Sequence, residues 1–175
     1  MPKSAFKLTI CGVPELNELA TQPITHLISI WHPAADRDNY TKGIQALFPN
    51  AEVLFVVFDD IEQIIDDFDN PPCNEHVRDI LEFGKKITKN SVVGIHCMAG
   101  ISRSSATAML LLSQHLGPGK ELQTAEYIKQ LRPQARPNRL IIQLADEILE
   151  RNGALIHAVD TTFGASDGTR NKGWN

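Results

Sequence analysis

The stretch SVVGIHCMAGISRSSATAMLLL, residues 91–112, constrains the fold more than any other part of the chain. It begins with a short apolar run that contains β-branched residues, Ser91–His96, which is typical of a buried strand. It continues into Ser104–Leu116, which is rich in Ala, Met and Leu and has no helix breaker before Gly117, so it predicts a buried helix. The sequence therefore predicts a strand, a short loop (Cys97–Arg103) and a helix.

The predicted loop combines a nucleophile with an anion-binding cradle. Backbone N–H groups at the N-terminus of a helix converge on anions, and the helix dipole adds positive potential. The same field favours the ionised form of the Cys97 side chain, and the thiolate is the reactive form of cysteine. The planar guanidinium of Arg103 can bind two phosphate oxygens at once. This combination predicts attack of Cys97 on phosphorus, with a cysteinyl-phosphate intermediate.

The loop sequence HCMAGISRS, residues 96–104, resembles the signature of the cysteine-dependent protein tyrosine phosphatase superfamily. A cysteine and an arginine separated by five residues arise easily by chance. The preceding strand, His96, Gly100, Ser104 and the following helix make the match specific. The alternative is a buried structural cysteine in front of a core helix.

A second segment, RPQARPN at residues 132–138, looks like the segment that follows the signature in dual-specificity phosphatases, and Gln143 and Leu144 extend the match. The resemblance implies that Asn138 opens the last helix and supports the catalytic loop. It covers roughly residues 8–149, strongly at the signature and loosely elsewhere. It implies a phosphatase domain over residues 1–155, and we expect a flexible tail over residues 156–175.

Composition limits the partners. The chain has 175 residues and a net charge of −4, which gives no electrostatic support for nucleic-acid binding. Its three cysteines are an odd number at unrelated spacings, which predicts neither a disulfide framework nor a zinc site and fits a reducing cytoplasm. No apolar run is long enough to span a membrane. We expect a cytoplasmic protein without a metal, cofactor, nucleic-acid or membrane partner, and the oligomeric state stays open.

Apolar runs that alternate with helical patterns predict an α/β fold with a mostly parallel central sheet of about four to five strands flanked by helices. This is also the fold that the resemblance implies. The other predicted strands are an edge strand at Ala5–Val13, Thr25–Ile30, and Glu52–Phe58, expected to be buried on both faces. The other predicted helices are Glu15–Ala20, Asn39–Phe48, Asn74–Lys89 with Asn74 as its cap, Glu121–Leu131 and Asn138–Asn152.

The acidic loop Asp59–Asn70 follows a predicted strand, and ligands bind beyond the carboxyl ends of strands in open α/β sheets. If the strands are neighbours, this loop faces the loop Cys97–Arg103, which we call the phosphate loop. One of its carboxyl groups would then protonate the leaving oxygen. The resemblance places this acid just after the strand, which selects Asp60. Asp59 is the runner-up, because a one-residue slip reverses the faces, and the later candidates are Asp66, Asp67 and Asp69.

The resemblance implies further roles. Arg103 holds the phosphoryl group, and Ser104 donates to the departing thiolate, although an ordinary serine in the first helical turn is the alternative. His96 orients the loop. Backbone N–H groups for the phosphate come from Met98, Ala99, Gly100, Ile101 and Ser102.

The loop has no charge between Cys97 and Arg103. Phosphoinositide phosphatases of the superfamily that it resembles usually carry lysines there, so this difference argues against a polyphosphorylated inositol. We therefore predict a phosphorylated protein or peptide as substrate. The chain lacks the length and added loops of the larger tyrosine-specific enzymes of this superfamily, so the resemblance implies a shallow pocket. Phosphotyrosine is expected there, with phosphoserine and phosphothreonine left open. A basic rim that attracts acidic substrates, or simply solvated arginines, is expected at Arg132, Arg136 and Arg139. One wall of the pocket is expected at Ile64, Ile65 and Phe68.

Two other functions fit the same loop. One is a phospho-binding module without turnover, and the other is sulfur transfer or arsenate reduction by the same thiol. Oxidative control through a disulfide from Cys97 to Cys73 or Cys11 is a weaker hypothesis. The preferred interpretation is that Cys73 and Cys11 are two spare buried cysteines.

Overall fold

A computed structural model describes residues 6–63 and 70–165. Its four strands are β1 Lys7–Gly12, β2 His26–Trp31, β3 Glu52–Val57 and β4 Val92–Cys97. They form one sheet in the order β1-β4-β2-β3, and every pairing is parallel. The predicted α/β fold with a parallel central sheet is confirmed, and β1 lies at an edge as expected.

Within the described residues the chain forms seven α-helices, and none is long and apolar enough to cross a membrane. They are α1 Leu16–Leu19, α2 Arg37–Leu47, α3 Asn74–Gly84, α4 Arg103–Leu116, α5 Glu121–Leu131, α6 Arg139–Ile148 and α7 Ala154–Phe163. Helices α1 and α2 pack with one apolar cluster, and α3 through α7 pack with the other. The sheet therefore separates two hydrophobic cores.

Helix α4 lies in the middle of the larger core. Its residues from Arg103 to Ser113 are all buried, and it contacts α3, α5 and α6. Small side chains (Ser and Ala) and larger ones that are not branched at Cβ (Leu and Met) let these neighbours approach on every side. The N-terminus of α4 is thereby fixed at the carboxyl end of β4, where the predicted phosphate loop lies.

Strand β3 differs from the expectation. It is the other edge of the sheet, and β2 separates it from β4. Its two faces do contact the two cores, through Leu54 and Val56 on one side and Val53 and Phe55 on the other. Both faces are therefore covered as expected, but most residues of the strand are only partly buried, because an edge strand is open along its free side.

Helix α3 also differs from the expectation at both ends. Its N-cap is Cys73, whose N–H donates to His76 Nδ1 at 3.2 Å, and Asn74 is the first helical residue. The helix ends at Gly84 rather than Lys89, since hydrogen-bonded turns replace it from Lys85 onward. The last predicted helix likewise ends at Ile148, before Asn152.

Residues 156–163, expected to belong to a flexible tail, lie in α7. Gly153 adopts a left-handed conformation with φ 86° and redirects the chain into this helix. Leu155, Ala158 and Val159 share one face and are buried. The expectation is wrong for these residues. Although Gly153 ends the preceding helical pattern, the short apolar stripe that follows it packs against the core. Residues 166–175 of the expected tail lie outside the described residues.

We expect Leu155→Ala to lower the free energy of unfolding by about 2–5 kcal/mol, because it leaves a cavity in the core. Denaturation with urea measures the change. The matched control is Leu122→Ala on α5, where 43% of the residue is exposed. A change for Leu155→Ala as small as that for the control would show that α7 does not belong to the core.

Candidate active site

Hydrogen bonds from outside the loop orient its backbone. Five consecutive carbonyl groups, Met98–Ser102, each accept a hydrogen bond from a donor outside the loop. The donors, at 2.9–3.3 Å, are the backbone N–H groups of Val13, Arg136 and Asn138 and the guanidinium of Arg132. The carbonyl groups therefore point away from the centre of the loop.

This orientation turns the N–H groups of the loop inward. The peptide bonds are trans, so the C=O of one residue and the N–H of the next point in opposite directions. The N–H groups of Ala99 through Arg103 consequently face the centre of the loop, beside the N-terminus of α4. Such an arrangement binds oxyanions.

Two glycines let the loop approach the end of β1. Gly100 has φ 70°, and a Cβ there would lie 2.4 Å from the carbonyl carbon of Cys11. A Cβ on Gly12 would lie 2.8 Å from the carbonyl carbon of Ala99. Both distances are shorter than van der Waals contact, so these two positions require glycine.

The predicted nucleophile lies at the floor of the loop. Cys97 ends β4, is only 1% exposed, and its Sγ lies 3.2 Å from Ser104 Oγ in the first turn of α4. The thiol donates this hydrogen bond when it is protonated, and the hydroxyl donates it when the sulfur is a thiolate. The structure thus brings Cys97 and Ser104 together as the resemblance implies.

Arg103 is a buried cation at the same helix end, 4% exposed. Its Nη1 donates to the carbonyl oxygen of Phe58 at 2.9 Å. Its Nε lies 3.7 Å from Asp60 Oδ2 and has no hydrogen bond to any described residue. An unfilled donor on a buried cation favours a bound anion, since leaving it unsatisfied is costly.

Asp60 lies against the phosphate loop. Its Oδ1 accepts hydrogen bonds from Ser102 Oγ at 2.6 Å and from Asn138 Nδ2 at 3.0 Å. Asn138 also caps α6, because its Oδ1 accepts from the N–H of Ile141 at 3.1 Å. The acidic loop therefore reaches the site even though β2 lies between β3 and β4. Asn138 links Asp60 to the phosphate loop, because its side chain donates to Asp60 and its backbone N–H donates to the Ser102 carbonyl oxygen.

Asp59 makes a different set of contacts. Its Oδ2 accepts from the N–H of Asn70 at 2.9 Å, and its own N–H donates to the Asn70 carbonyl at 2.8 Å. Its Oδ1 lies 2.8 Å from His32 Nε2, a distance typical of an ion pair. Asp59 thus joins the two ends of the acidic loop, whereas Asp60 contacts the phosphate loop. The remaining acid candidates and the expected pocket wall, residues 64–69, lie outside the described residues.

His96 is fully buried below the loop. Its Nε2 lies 2.7 Å from Ser29 Oγ, which accepts a hydrogen bond from Trp31 Nε1 at 2.6 Å. Burial lowers the pKa of His96 to about 4, the Cys97 backbone opposes this shift, and the charge of Arg103 reinforces it. His96 is therefore neutral at pH 7 and fixes the end of β4. Sequence reasoning missed Ser29 and Trp31, although a serine within an apolar strand was a signal.

No family model and no curated protein matches the chain. Among solved structures, DUSP15 is 22% identical with a TM-score of 0.59, over 94% of this chain and 98% of that one. The Yvh1 phosphatase domain from Chaetomium thermophilum is 22% identical with a TM-score of 0.56, over 85% and 93%. PTPMT1 in complex with PI(5)P is 14% identical with a TM-score of 0.56, over 87% and 94%. The chain has the dual-specificity phosphatase fold.

Two of the three arginines expected to form a basic rim, or to be simply solvated, are paired with carboxylates. Arg132 forms a two-point ion pair with Glu15 at 2.6 and 2.7 Å, and Arg139 pairs with Asp160 on α7. The side chain of Arg136 is exposed. Sequence reasoning missed Glu15 as a partner, because the pair joins residues 117 positions apart.

The three cysteines are free thiols. Cys11 and Cys97 pack into the two different cores, on opposite faces of the sheet. Burial raises the pKa of Cys11 to about 12, and nearby Glu15 adds to the effect. Cys11 is thus a spare buried cysteine, whereas Cys73 is only half-buried. Within the described ranges, no three His, Cys, Asp or Glu side chains come together as metal ligands would.

The pKa of His96 predicts a pH dependence of stability. Because the pKa of His96 in the folded state, about 4, lies below its ordinary value of 6.5, the unfolded state binds the proton more tightly. The contribution of His96 to the free energy of unfolding is therefore fully present above pH 6.5 and is lost as the pH falls toward 4. The loss is about 3 kcal/mol, at roughly 1.4 kcal/mol per pH unit. His96→Asn should flatten this slope in urea denaturation between pH 7 and about 4.5.

The control is His157→Asn, which changes an exposed histidine on α7 and should keep the wild-type slope. An unchanged slope for His96→Asn would contradict the assignment of a buried neutral imidazole.

Proposed function

We propose that the protein is a phosphoprotein phosphatase that hydrolyses phosphotyrosine through a cysteinyl-phosphate intermediate. The observation that supports this most strongly is the inward orientation of the loop N–H groups around Cys97. Beside them stands Arg103, whose Nε has no hydrogen-bond partner among the described residues. A nucleophile, an oxyanion cradle and a cation thus occupy one turn of chain.

In the first step, Cys97 Sγ attacks phosphorus, so an S–P bond forms as the bond to the leaving oxygen breaks. The inward N–H groups and Arg103 stabilise the equatorial oxygens, where charge is spread in the transition state. Asp60, protonated on Oδ2, gives its proton to the leaving oxygen and releases the phenol. Ser102 and Asn138 hold Oδ1 of the same carboxyl group, which leaves Oδ2 toward Arg103.

In the second step, water attacks phosphorus and the S–P bond breaks. The Asp60 carboxylate takes a proton from the water, and inorganic phosphate leaves. The hydroxyl of Ser104 donates to the sulfur, 3.2 Å away, as it departs as a thiolate. His96 takes no proton in either step, since it is buried and neutral.

The composition of the loop supports a singly phosphorylated aromatic substrate. Between Cys97 and Arg103 it offers no side-chain charge for a second phosphate. Met98 is 49% exposed and gives the loop an apolar surface on which an aromatic ring can pack. Because similar structures include a complex with PI(5)P, the fold alone does not choose the substrate. The free cysteines favour the cytoplasm as the compartment.

Cys97→Ser should abolish release of nitrophenol from p-nitrophenyl phosphate, a loss of at least about 10³-fold, because the hydroxyl is a weak nucleophile. Mass spectrometry of the quenched wild-type enzyme should detect phosphate on Cys97. An unchanged urea midpoint would serve as the folding control. Full activity in the variant would refute the mechanism. Phosphopeptide binding without turnover by wild type would indicate a binding module, and turnover of thiosulfate or arsenate instead would indicate other thiol chemistry.

Asp60→Ala should slow the hydrolysis of phenyl phosphate by about 10²–10⁴-fold, because a poor leaving group needs the proton. The hydrolysis of p-nitrophenyl phosphate should fall much less. Steady-state rates over a series of substituted phenyl phosphates measure the difference. If Asp59→Ala shows this selectivity and Asp60→Ala slows all substrates equally, then Asp59 is the acid.

A further inference from the structure

Arg132 is the cation that most closely supports the loop from outside. Its Nε donates to the carbonyl oxygen of Gly100 at 3.0 Å, and its Nη2 lies 3.3 Å from that of Ala99. The same guanidinium makes both contacts to the carboxylate of Glu15. Glu15 Oε2 also accepts from the N–H of Gly12 at 2.6 Å, at the end of β1. The network therefore links the end of β1, the C-cap of α5 and the middle of the phosphate loop.

We propose that Arg132 and Glu15 are positioning residues that set the oxyanion affinity of the loop. Arg132 holds the carbonyl groups of Ala99 and Gly100 outward, so that the N–H groups of Gly100 and Ile101 face the anion. This inference rests on the proposed function only in taking the anion to be the phosphate of the substrate.

The backbone of Gly100 makes the contact possible. A Cβ at this residue would lie 2.7 Å from Arg132 Nη2, so any other residue would push the guanidinium away from the loop. The side chain of Arg132 is 13% exposed, which strengthens its interactions relative to those of a fully solvated group. The pair thus depends on a close approach that the glycine permits.

Glu15 has an electrostatic as well as a structural effect. The hydrogen bonds between the two side chains lower the pKa of Glu15 and raise that of Arg132, so both are charged at neutral pH. Their charges nearly cancel behind the loop. If Arg132 is removed, the Glu15 carboxylate stays beside the loop as an uncompensated anion and repels a phosphate dianion. Neutralising Glu15 in that variant should therefore restore part of the affinity.

Lysine cannot replace Arg132 in this role. The guanidinium presents donors in a fixed plane, and here it faces a carboxylate on one side and two carbonyl oxygens on the other. An ammonium group is a point charge on a flexible stem and cannot reach all four acceptors. The planar donor set, rather than the positive charge alone, is what the network uses.

The test measures the binding of inorganic phosphate to the full chain by isothermal titration calorimetry, which needs no turnover. Arg132→Met should weaken binding by about tenfold or more, the equivalent of roughly 1.4 kcal/mol. Arg132→Lys should lose nearly as much. The double variant Glu15→Gln/Arg132→Met should bind more tightly than Arg132→Met alone. The control is Arg78→Met, which removes an exposed arginine on α3 and should change binding less than about twofold.

A second readout separates this role from that of the acid. Arg132→Met should slow the hydrolysis of p-nitrophenyl phosphate and of phenyl phosphate by the same factor, whereas loss of the acid slows the hydrolysis of phenyl phosphate more. Phosphate binding by Arg132→Met within about twofold of wild type would overturn the proposal, as would an equal loss of affinity in Arg78→Met. If Arg132→Met is too unstable to titrate, Arg132→Lys decides by the same criterion.

If wild type binds phosphate but hydrolyses no ester, the proposed function fails while this inference stands. If wild type does not bind phosphate, both fail.

Discussion

The structure depends on holding five successive carbonyl groups outward at the start of α4. A short loop does not keep this conformation by itself, since each carbonyl group without a partner would cost about 1–3 kcal/mol when buried. The partners come from three separate parts of the chain: the turn after β1, the end of α5 and the segment before α6. The parallel sheet and the buried helix bring these parts together, so the core packing ultimately orients the N–H groups of the loop.

The same arrangement concentrates positive potential. Five N–H groups, the N-terminal end of the α4 dipole and the buried Arg103 all lie at one point. Arg103 at a helix N-terminus is unfavourable by itself, and the structure offsets it with the Phe58 carbonyl and the nearby Asp60 carboxylate. An incoming phosphate dianion would complete this balance. The site is therefore organised for an anion before one binds, which is the condition for electrostatic stabilisation of a transition state.

The sequence predicted the unit of β4, the phosphate loop and α4 well because its signals are local. The β-branched run and the Ala- and Leu-rich run place β4 and α4 within one residue of their observed bounds. Supporting contacts between distant residues were not predictable from such signals. The Arg132–Glu15 pair spans 117 positions and the Ser29–His96 contact spans 67, and neither leaves a periodic pattern. The edge position of β3 and the packing of α7 were missed for the same reason: both depend on which neighbours the rest of the chain supplies.

The division of the loop's partners shows how much of the loop conformation depends on the path of the chain and how much depends on a side chain. Three of the five carbonyl groups accept from backbone N–H groups, those of Val13, Arg136 and Asn138. A backbone donor needs the correct chain path and almost any side chain except proline. The carbonyl groups of Ala99 and Gly100 instead accept from the side chain of Arg132. A new sequence can therefore keep the cradle by keeping its topology, while the affinity of the cradle depends on a side chain such as Arg132.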